Sequence, residues 1–402
     1  MALAFAIHAR DPGSRARSGT LRLAHGDVRT PAFVPLATKA VVKTLEPAEV
    51  AALGYDMVLG NTFHLFLAPG PELIARHGGL HRFMRWNGPI ITDSGGFQVF
   101  SMGHGTVADE IKGRGAQAAG GERAGAIVGI AEEGVSFRSY LDGATRFMGP
   151  ETSMEAQAAL GSDIALVFDE CLPFNVSRDY TAESTERTHR WLDRCLAWHA
   201  QQGPEGQAVY GIVQGGVHED LRRASAQAVA ARACAGIAIG GSLGQEKAQM
   251  HEVVGWAVDE LPEDRPRHLL GIGEIDDLLR GVELGIDTFD CAMPTRIGRH
   301  GMAVVPDPDR RWRIDLAKGR YREADEPLLE GCPCPACARG YSRAYLHYLL
   351  RAGELTASRL LTLHNLAYPQ ALMAALRTSI GEGRLAAAVA ASRAGAAPWE
   401  LA

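Results

Sequence analysis

Ile-Ala-Leu-Val-Phe-Asp, residues 164–169, is a short apolar run stopped by a carboxylate, and it follows a stretch, 151–160, whose apolar residues recur at helical spacing. The same unit repeats along the chain. Further apolar runs ending in a polar residue or glycine lie at 33–36, 57–60, 90–92, 209–213, 236–240, 268–272 and 287–289, and amphipathic stretches at 183–199, 219–233, 247–260 and 275–284 fill most of the gaps. Strand then helix, eight times over, predicts an α/β chain closed into a parallel (β/α)8 barrel of the TIM type. A doubly wound open sheet fits the same alternation, but it expects a glycine-rich phosphate turn after its first strand, and none follows Leu36.

A parallel barrel gathers reactive groups at the carboxyl ends of its strands. Working outward from Asp169, the residues at those ends are Asn61, Asp93, Gln214, Gly241 and Asp290. Each alone could be a helix cap or a turn residue, the commoner reason for Asp or Asn after a strand. Three aspartates converging on one mouth suit glycosidic chemistry, in which one carboxylate attacks the anomeric carbon and another gives and later takes a proton.

Composition bounds the rest. A chain of 402 residues with 46% hydrophobic content can bury one large core plus an appendage. The seven cysteines are an odd number, and Cys171, Cys195, Cys234 and Cys291 sit in apolar segments as small hydrophobes, so a reducing compartment is expected. No apolar run approaches bilayer length and the first ten residues lack a signal-peptide pattern, which predicts a cytoplasmic protein without a membrane partner. Net charge is −6, yet residues 291–322 hold eight basic side chains against three acidic ones, with Trp312 and Tyr321 interleaved. That local excess is an electrostatic footprint suited to a phosphate backbone, or a solvated basic face.

Cys332, Cys334 and Cys337 lie on one proline-bounded loop, and His364 follows in a leucine-rich helical stretch. Three thiolates and an imidazole fill a tetrahedron, which predicts one structural zinc ion without an open position. The competing reading is a redox pair in Cys334-x-x-Cys337, but such a motif expects a strand immediately before it.

The chain resembles the bacterial tRNA-guanine transglycosylases. The resemblance rests on Asn-Thr-Phe-His-Leu at 61–65, Thr-Asp-Ser-Gly-Gly-Phe-Gln-Val-Phe at 92–100, Phe-Asp-Glu-Cys at 168–171, Gly-Ile-Val-Gln-Gly-Gly at 211–216, Phe-Asp-Cys-Ala-Met-Pro-Thr-Arg-Ile-Gly-Arg at 289–299, and the cysteine loop with Tyr341–Tyr345. It implies an irregular barrel carrying a zinc subdomain and C-terminal helices, and a pentosyltransferase that exchanges guanine at the wobble position of a tRNA for a 7-deazaguanine (7-aminomethyl-7-deazaguanine or queuine) in queuosine tRNA modification. Carried over by residue, it makes Asp290 the nucleophile and Asp93 the general acid and base. Asp169, Gln214 and Gly241 would bind the base edge, Phe97 would stack on the base, and Asn61 and His64 would stand behind Asp93. Arg296 and Arg299 would bind RNA, and Cys332, Cys334, Cys337 and His364 would hold the zinc. A homodimer through the zinc-proximal helix, with Tyr341, Tyr345 and Tyr348 on one face, is implied as well. His268 and His347 receive no role.

The expected division is a barrel domain at 1–301, a zinc subdomain with barrel-completing helices at 302–376, and a helical tail at 377–402. Two departures from the family pattern are expected to matter: a Gly- and Ala-rich insertion at 103–134, and the loop 240–246, which bears on which deazaguanine is preferred. The other functional classes compatible with the chain are a transglycosylase acting on another nucleic acid and a noncatalytic zinc-containing RNA-binding subunit. Intact Asp93 and Asp290 argue against the latter.

Overall fold

The computed structural model describes residues 3–103, 127–241, 243, 244 and 246–401. All eight apolar runs are strands: β1 (Ala32–Ala37), β2 (Val58–Gly60), β3 (Ile90–Thr92), β4 (Ile164–Leu166), β5 (Ala208–Val213), β6 (Gly236–Ile239), β7 (Arg267–Leu269) and β8 (Thr288–Cys291). They pair in parallel in chain order, and β8 returns to β1 to close the barrel. Every residue of β5 is buried. A parallel strand covered on both faces needs such a continuous apolar run, and this is why these segments lack polar alternation.

The amphipathic stretches form α1 (Pro150–Leu160), α2 (Arg178–Gln202), α3 (Glu219–Ala230), α4 (Lys247–Asp259) and α5 (Ile275–Glu283). Helix α2 begins five residues before the expected start at 183, because the Ser177 side chain accepts from the Tyr180 backbone N–H and caps it there. Helix α1 stops at Gly161, which takes the left-handed conformation at φ 71°.

A three-stranded antiparallel sheet (Ala4–Arg10, Arg17–Leu23, Gly26–Thr30) covers the amino-terminal end of the barrel. Arg17 reaches down to Asp287, which precedes β8, and donates two hydrogen bonds to its carboxylate at 2.9 and 2.6 Å, both groups being fully buried. Bidentate geometry offsets the cost of desolvating both charges. One end of the barrel is thereby closed, leaving the carboxyl-end mouth for chemistry.

After β8 the chain runs through a short helix (Met293–Arg299), a hairpin (Met302–Val304 with Arg313–Asp315), the turn Pro335–Ala338, and helices α6 (Arg343–Ala352) and α7 (Leu355–Gly381). This region has its own small core, in which Ile314, Leu316, Leu328, Leu346, Leu360 and Leu361 pack around Cys332 and Cys334. Helix α7 joins it to the barrel: Asn365 accepts from the Val304 N–H at 2.8 Å, and Tyr55 donates to the Leu366 carbonyl at 2.7 Å. The helix runs unbroken through residues 376 and 377. Of the insertion expected at 103–134, residues 104–126 lie outside the described residues, while Ile127–Ile130 pairs with Val135–Arg138 in a small antiparallel sheet completed by Thr145–Met148.

Candidate active site and metal centre

The strand ends bring the sequence-derived polar residues to one mouth. Asp93 directly follows β3, and its carboxylate accepts from the Thr62 N–H at 2.8 Å and from the Asn61 amide. Asn61 has two jobs, since its Oδ1 also caps the helix Thr62–Leu67 by accepting from the His64 N–H at 3.0 Å. Burial nevertheless pushes Asp93 up to about 7, and the charges of Asp290 and Asp169 push the same way against the hydrogen bonds that favour the anion. The three carboxylates therefore share one electrostatic environment, and within it Asp93 is poised near neutrality, where a proton donor and acceptor is most effective.

Asp169 stands three residues past β4 and is buried. It accepts from the Ser94 hydroxyl at 3.0 Å and from the Gln214 amide at 2.6 Å, and burial raises it to about 6. Gly241 packs against that amide: at φ 77°, a β-carbon there would collide with Gln214 Oε1. Phe97 is 36% exposed at the start of the helix Gly96–Gly103, so it is a rim residue with an available face and not part of the core. Asp290 lies within β8, 6% exposed, and accepts from the Gly271 N–H at 3.0 Å.

His64 sits differently from expectation. Its backbone is behind Asp93, but its ring bonds the Tyr140 hydroxyl at 3.0 Å, and burial with the nearby charges of Lys39 and Lys43 lowers it to about 4. It stays neutral at physiological pH and helps join the small antiparallel sheet to the mouth. Lys43 is lowered by burial and by Arg299, Lys39 and Arg296, so these cations form one patch beside the site. The basic stretch 291–322 is less uniform than its residue count suggests. Arg310 meets Asp307 at 3.2 Å, Lys318 meets Asp315 at 3.6 Å, and Arg311 approaches Glu274 at 3.8 Å.

The metal centre is assembled from distant parts of the chain. Cys332, Cys334 and Cys337 place their sulfurs 3.6, 3.5 and 3.4 Å from His364 Nδ1. Zinc bonded to sulfur and nitrogen at ordinary lengths in a tetrahedron separates those atoms by about 3.5 Å. The other ring nitrogen, Nε2, lies 2.7 Å from the Val304 carbonyl, which fixes the proton there and leaves the Nδ1 lone pair for the metal. The four side chains are grouped within metal-binding distance and bury the site in the small core, well suited to a closed structural zinc. His364 reaches the loop from α7, with α6 lying between them in sequence.

Residues 11–396 match the family model described as queuine tRNA-ribosyltransferase. The chain belongs to that family. It is 51% identical to the queuine tRNA-ribosyltransferase of Roseiflexus sp. over 395 residues, covering 96% of this chain and 98% of the relative. It is 46% identical to that of Pelotomaculum thermopropionicum over 386 residues, and 45% identical to that of Cereibacter sphaeroides over 388, with 96% of each chain covered in both comparisons.

Within this queuine tRNA-ribosyltransferase fold, three contributions escape sequence reasoning. Arg222 on α3 is fully buried and donates to the Val213, Gly216 and Gly240 carbonyls at 3.1, 2.6 and 2.8 Å, tying together the loops after β5 and β6. Burial lowers it to about 9. Its only sequence signal is a basic residue on the inward face of an amphipathic helix. Lys39 and Lys43 belong to the cationic patch but lie far in sequence from Arg296 and Arg299. His268, on β7, places Nε2 3.2 Å from Asp290 Oδ1. In the loop 240–246, Ser242 and Gln245 lie outside the described residues.

Proposed function

We propose that the chain replaces guanine at the wobble position of a tRNA anticodon with a 7-deazaguanine by two successive displacements at the ribose anomeric carbon. The observation that carries this reading is the group of buried carboxylates at one mouth, with Asp93 raised to about 7 beside Asp290. Asp290 attacks the anomeric carbon and forms a ribosyl ester while protonated Asp93 gives its proton to the departing guanine. Asp93, now anionic, removes a proton from the incoming base as that base displaces Asp290. Two inversions at one carbon retain the configuration of the sugar.

Asp169, Gln214 and the backbone at Gly241 read the base edge, and exposed Phe97 provides the stacking face. The Lys39, Lys43, Arg296 and Arg299 patch engages the backbone around the anticodon. Zinc holds the 302–376 region in shape and takes no part in the reaction.

The division at 301/302 and 376/377 is retained as a functional one: catalytic barrel, zinc-bearing region and tail. A homodimer is also proposed. Tyr345 and Tyr348 on α6 are 42% and 63% exposed, and the Tyr341 ring, just before the helix, stacks on Tyr345 at 5.4 Å, an aromatic surface suited to a two-fold contact. A bacterial cytoplasmic location fits a tRNA substrate, and no helix among the described residues is long and apolar enough to cross a membrane.

Incubation with unmodified tRNA and each candidate base, followed by identification of the wobble nucleoside, tests the proposal. Incorporation of a 7-deazaguanine at that position supports it. Retention of guanine with every base, or exchange at another position, refutes it.

A further inference from the structure

His268 and Asp290 lie on adjacent strands. In the parallel register His268 stands opposite Thr288, so their side chains point to the same side of the sheet, and Asp290, two residues beyond Thr288, points there too. His268 Nδ1 is 2.8 Å from Thr288 Oγ1, and His268 Nε2 is 3.2 Å from Asp290 Oδ1. The ring is wholly buried, and Nε2 has no aligned hydrogen-bond partner in the free protein. A buried imidazole nitrogen without a partner is costly, and here it faces the proposed nucleophile. The Gly271 N–H also donates to Oδ1. Among the described residues, no hydrogen bond is directed to Oδ2.

We infer that His268, held by Thr288, is a positioning residue that fixes Asp290 Oδ1 and commits Oδ2 to attack. The inference rests on Asp290 being the nucleophile. In this arrangement the Thr288 hydroxyl serves as donor to Nδ1, and the N–H at Nε2 faces Oδ1. In the first displacement the Oδ2–anomeric carbon bond forms, the carbon–guanine bond breaks with its electron pair leaving on the base, and Oδ1 becomes the ester carbonyl oxygen. In the second, the bond to Oδ2 breaks and its electron pair returns to the carboxylate, where Oδ1 again accepts from His268 and Gly271. No proton moves through His268 in either step. Hydrogen bonds of this kind are often misaligned in a free enzyme and tighten when substrate closes the site.

The test follows covalent adduct formation in a single turnover with a guanine-containing anticodon stem-loop, alongside stem-loop affinity and thermal melting. His268→Phe, which retains a ring but no N–H, should slow adduct formation about a hundredfold while stem-loop affinity stays within about threefold. His268→Gln, whose amide can reach the same position, should recover the rate to within about tenfold of wild type. Equal rates in wild type and His268→Phe would overturn the inference, as would equal slowing in both variants in step with lost affinity and melting temperature. Should His268→Phe fail to fold, near-isosteric Thr288→Val removes only the hydroxyl that orients the ring. It should slow adduct formation about threefold to tenfold at unchanged affinity, and an unchanged rate would overturn the inference. A wild-type adduct mapping to a residue other than Asp290 would instead overturn the nucleophile assignment itself.

Discussion

The Gln214 amide donates to Asp169 Oδ2 at 2.6 Å, so residues from the ends of two adjacent strands hold one another at the barrel mouth. With Ser94 donating to Oδ1 and Gly241 backed against Gln214 Oε1, the amide has one allowed orientation. If, as proposed, this edge meets a purine-like base, it is fixed before binding, and little ordering remains to be done when the base arrives.

Gly241→Ala should disturb that edge and little else. The new methyl would collide with Gln214 Oε1, in a left-handed backbone conformation that disfavours alanine. The KM for the incoming base should rise at least about tenfold, with tRNA affinity unchanged. Steady-state kinetics with varied base and a separate tRNA binding titration check this, and an unchanged KM would place base recognition elsewhere.

How much of this was legible in the sequence follows from what each residue depends on. The eight strands were readable because parallel strands covered on both faces must be short apolar runs, and Asp93, Asp169 and Asp290 were readable because they stop such runs. The zinc loop was readable from cysteine spacing. His268 was not, because its meaning comes from the β7–β8 register, which places it opposite Thr288. Arg222 was hidden for a similar reason: its partners are carbonyls, which carry no residue-specific signal. The local pairing of the basic stripe was not readable, because residue counts do not reveal that Arg310, Arg311 and Lys318 have acidic neighbours.

The raised Asp93 fixes the sign of two pH effects. In the proposed mechanism guanine displacement needs its proton, so the single-turnover rate should fall as pH rises through about 7. Stability follows the same direction: the folded protein binds this proton more tightly than the unfolded chain, so Asp93 contributes most below its ordinary value of 3.8 and loses that contribution as pH rises from there to about 7. Asp93→Asn should therefore raise the melting temperature relative to wild type at pH 8 and have a smaller effect at pH 4. A larger gain at pH 4 would contradict the assignment.

Cys334→Ala removes one of the grouped ligands and the acceptor that caps the turn Pro335–Ala338. Zinc content should fall from one per chain toward zero, and the 302–376 region should become protease-sensitive. Metal analysis and limited proteolysis read both effects. A folded, zinc-free variant with full exchange activity would contradict a structural role.

Two sets of cations should separate in salt titrations. Replacing Lys43, Arg296 and Arg299 together should lower the slope of log tRNA affinity against log salt by about 2–3. Replacing Arg310, Arg311 and Arg313 should change it less, because two of these already meet carboxylates. The reverse ranking would move the RNA backbone to the hairpin.

The central claim is that Asp290, accepting from the Gly271 N–H at 3.0 Å, carries the ribose between the two bases. Its most direct measurement is mass-spectrometric mapping of the denaturation-resistant adduct formed with a guanine-containing anticodon stem-loop, comparing wild type, Asp290→Asn and Asp93→Asn. The account predicts an adduct on Asp290 alone in the wild type and none in Asp290→Asn, which should still bind the stem-loop; Asp93→Asn should accumulate adduct far more slowly. An adduct on Asp93, or undiminished exchange by Asp290→Asn, would contradict it.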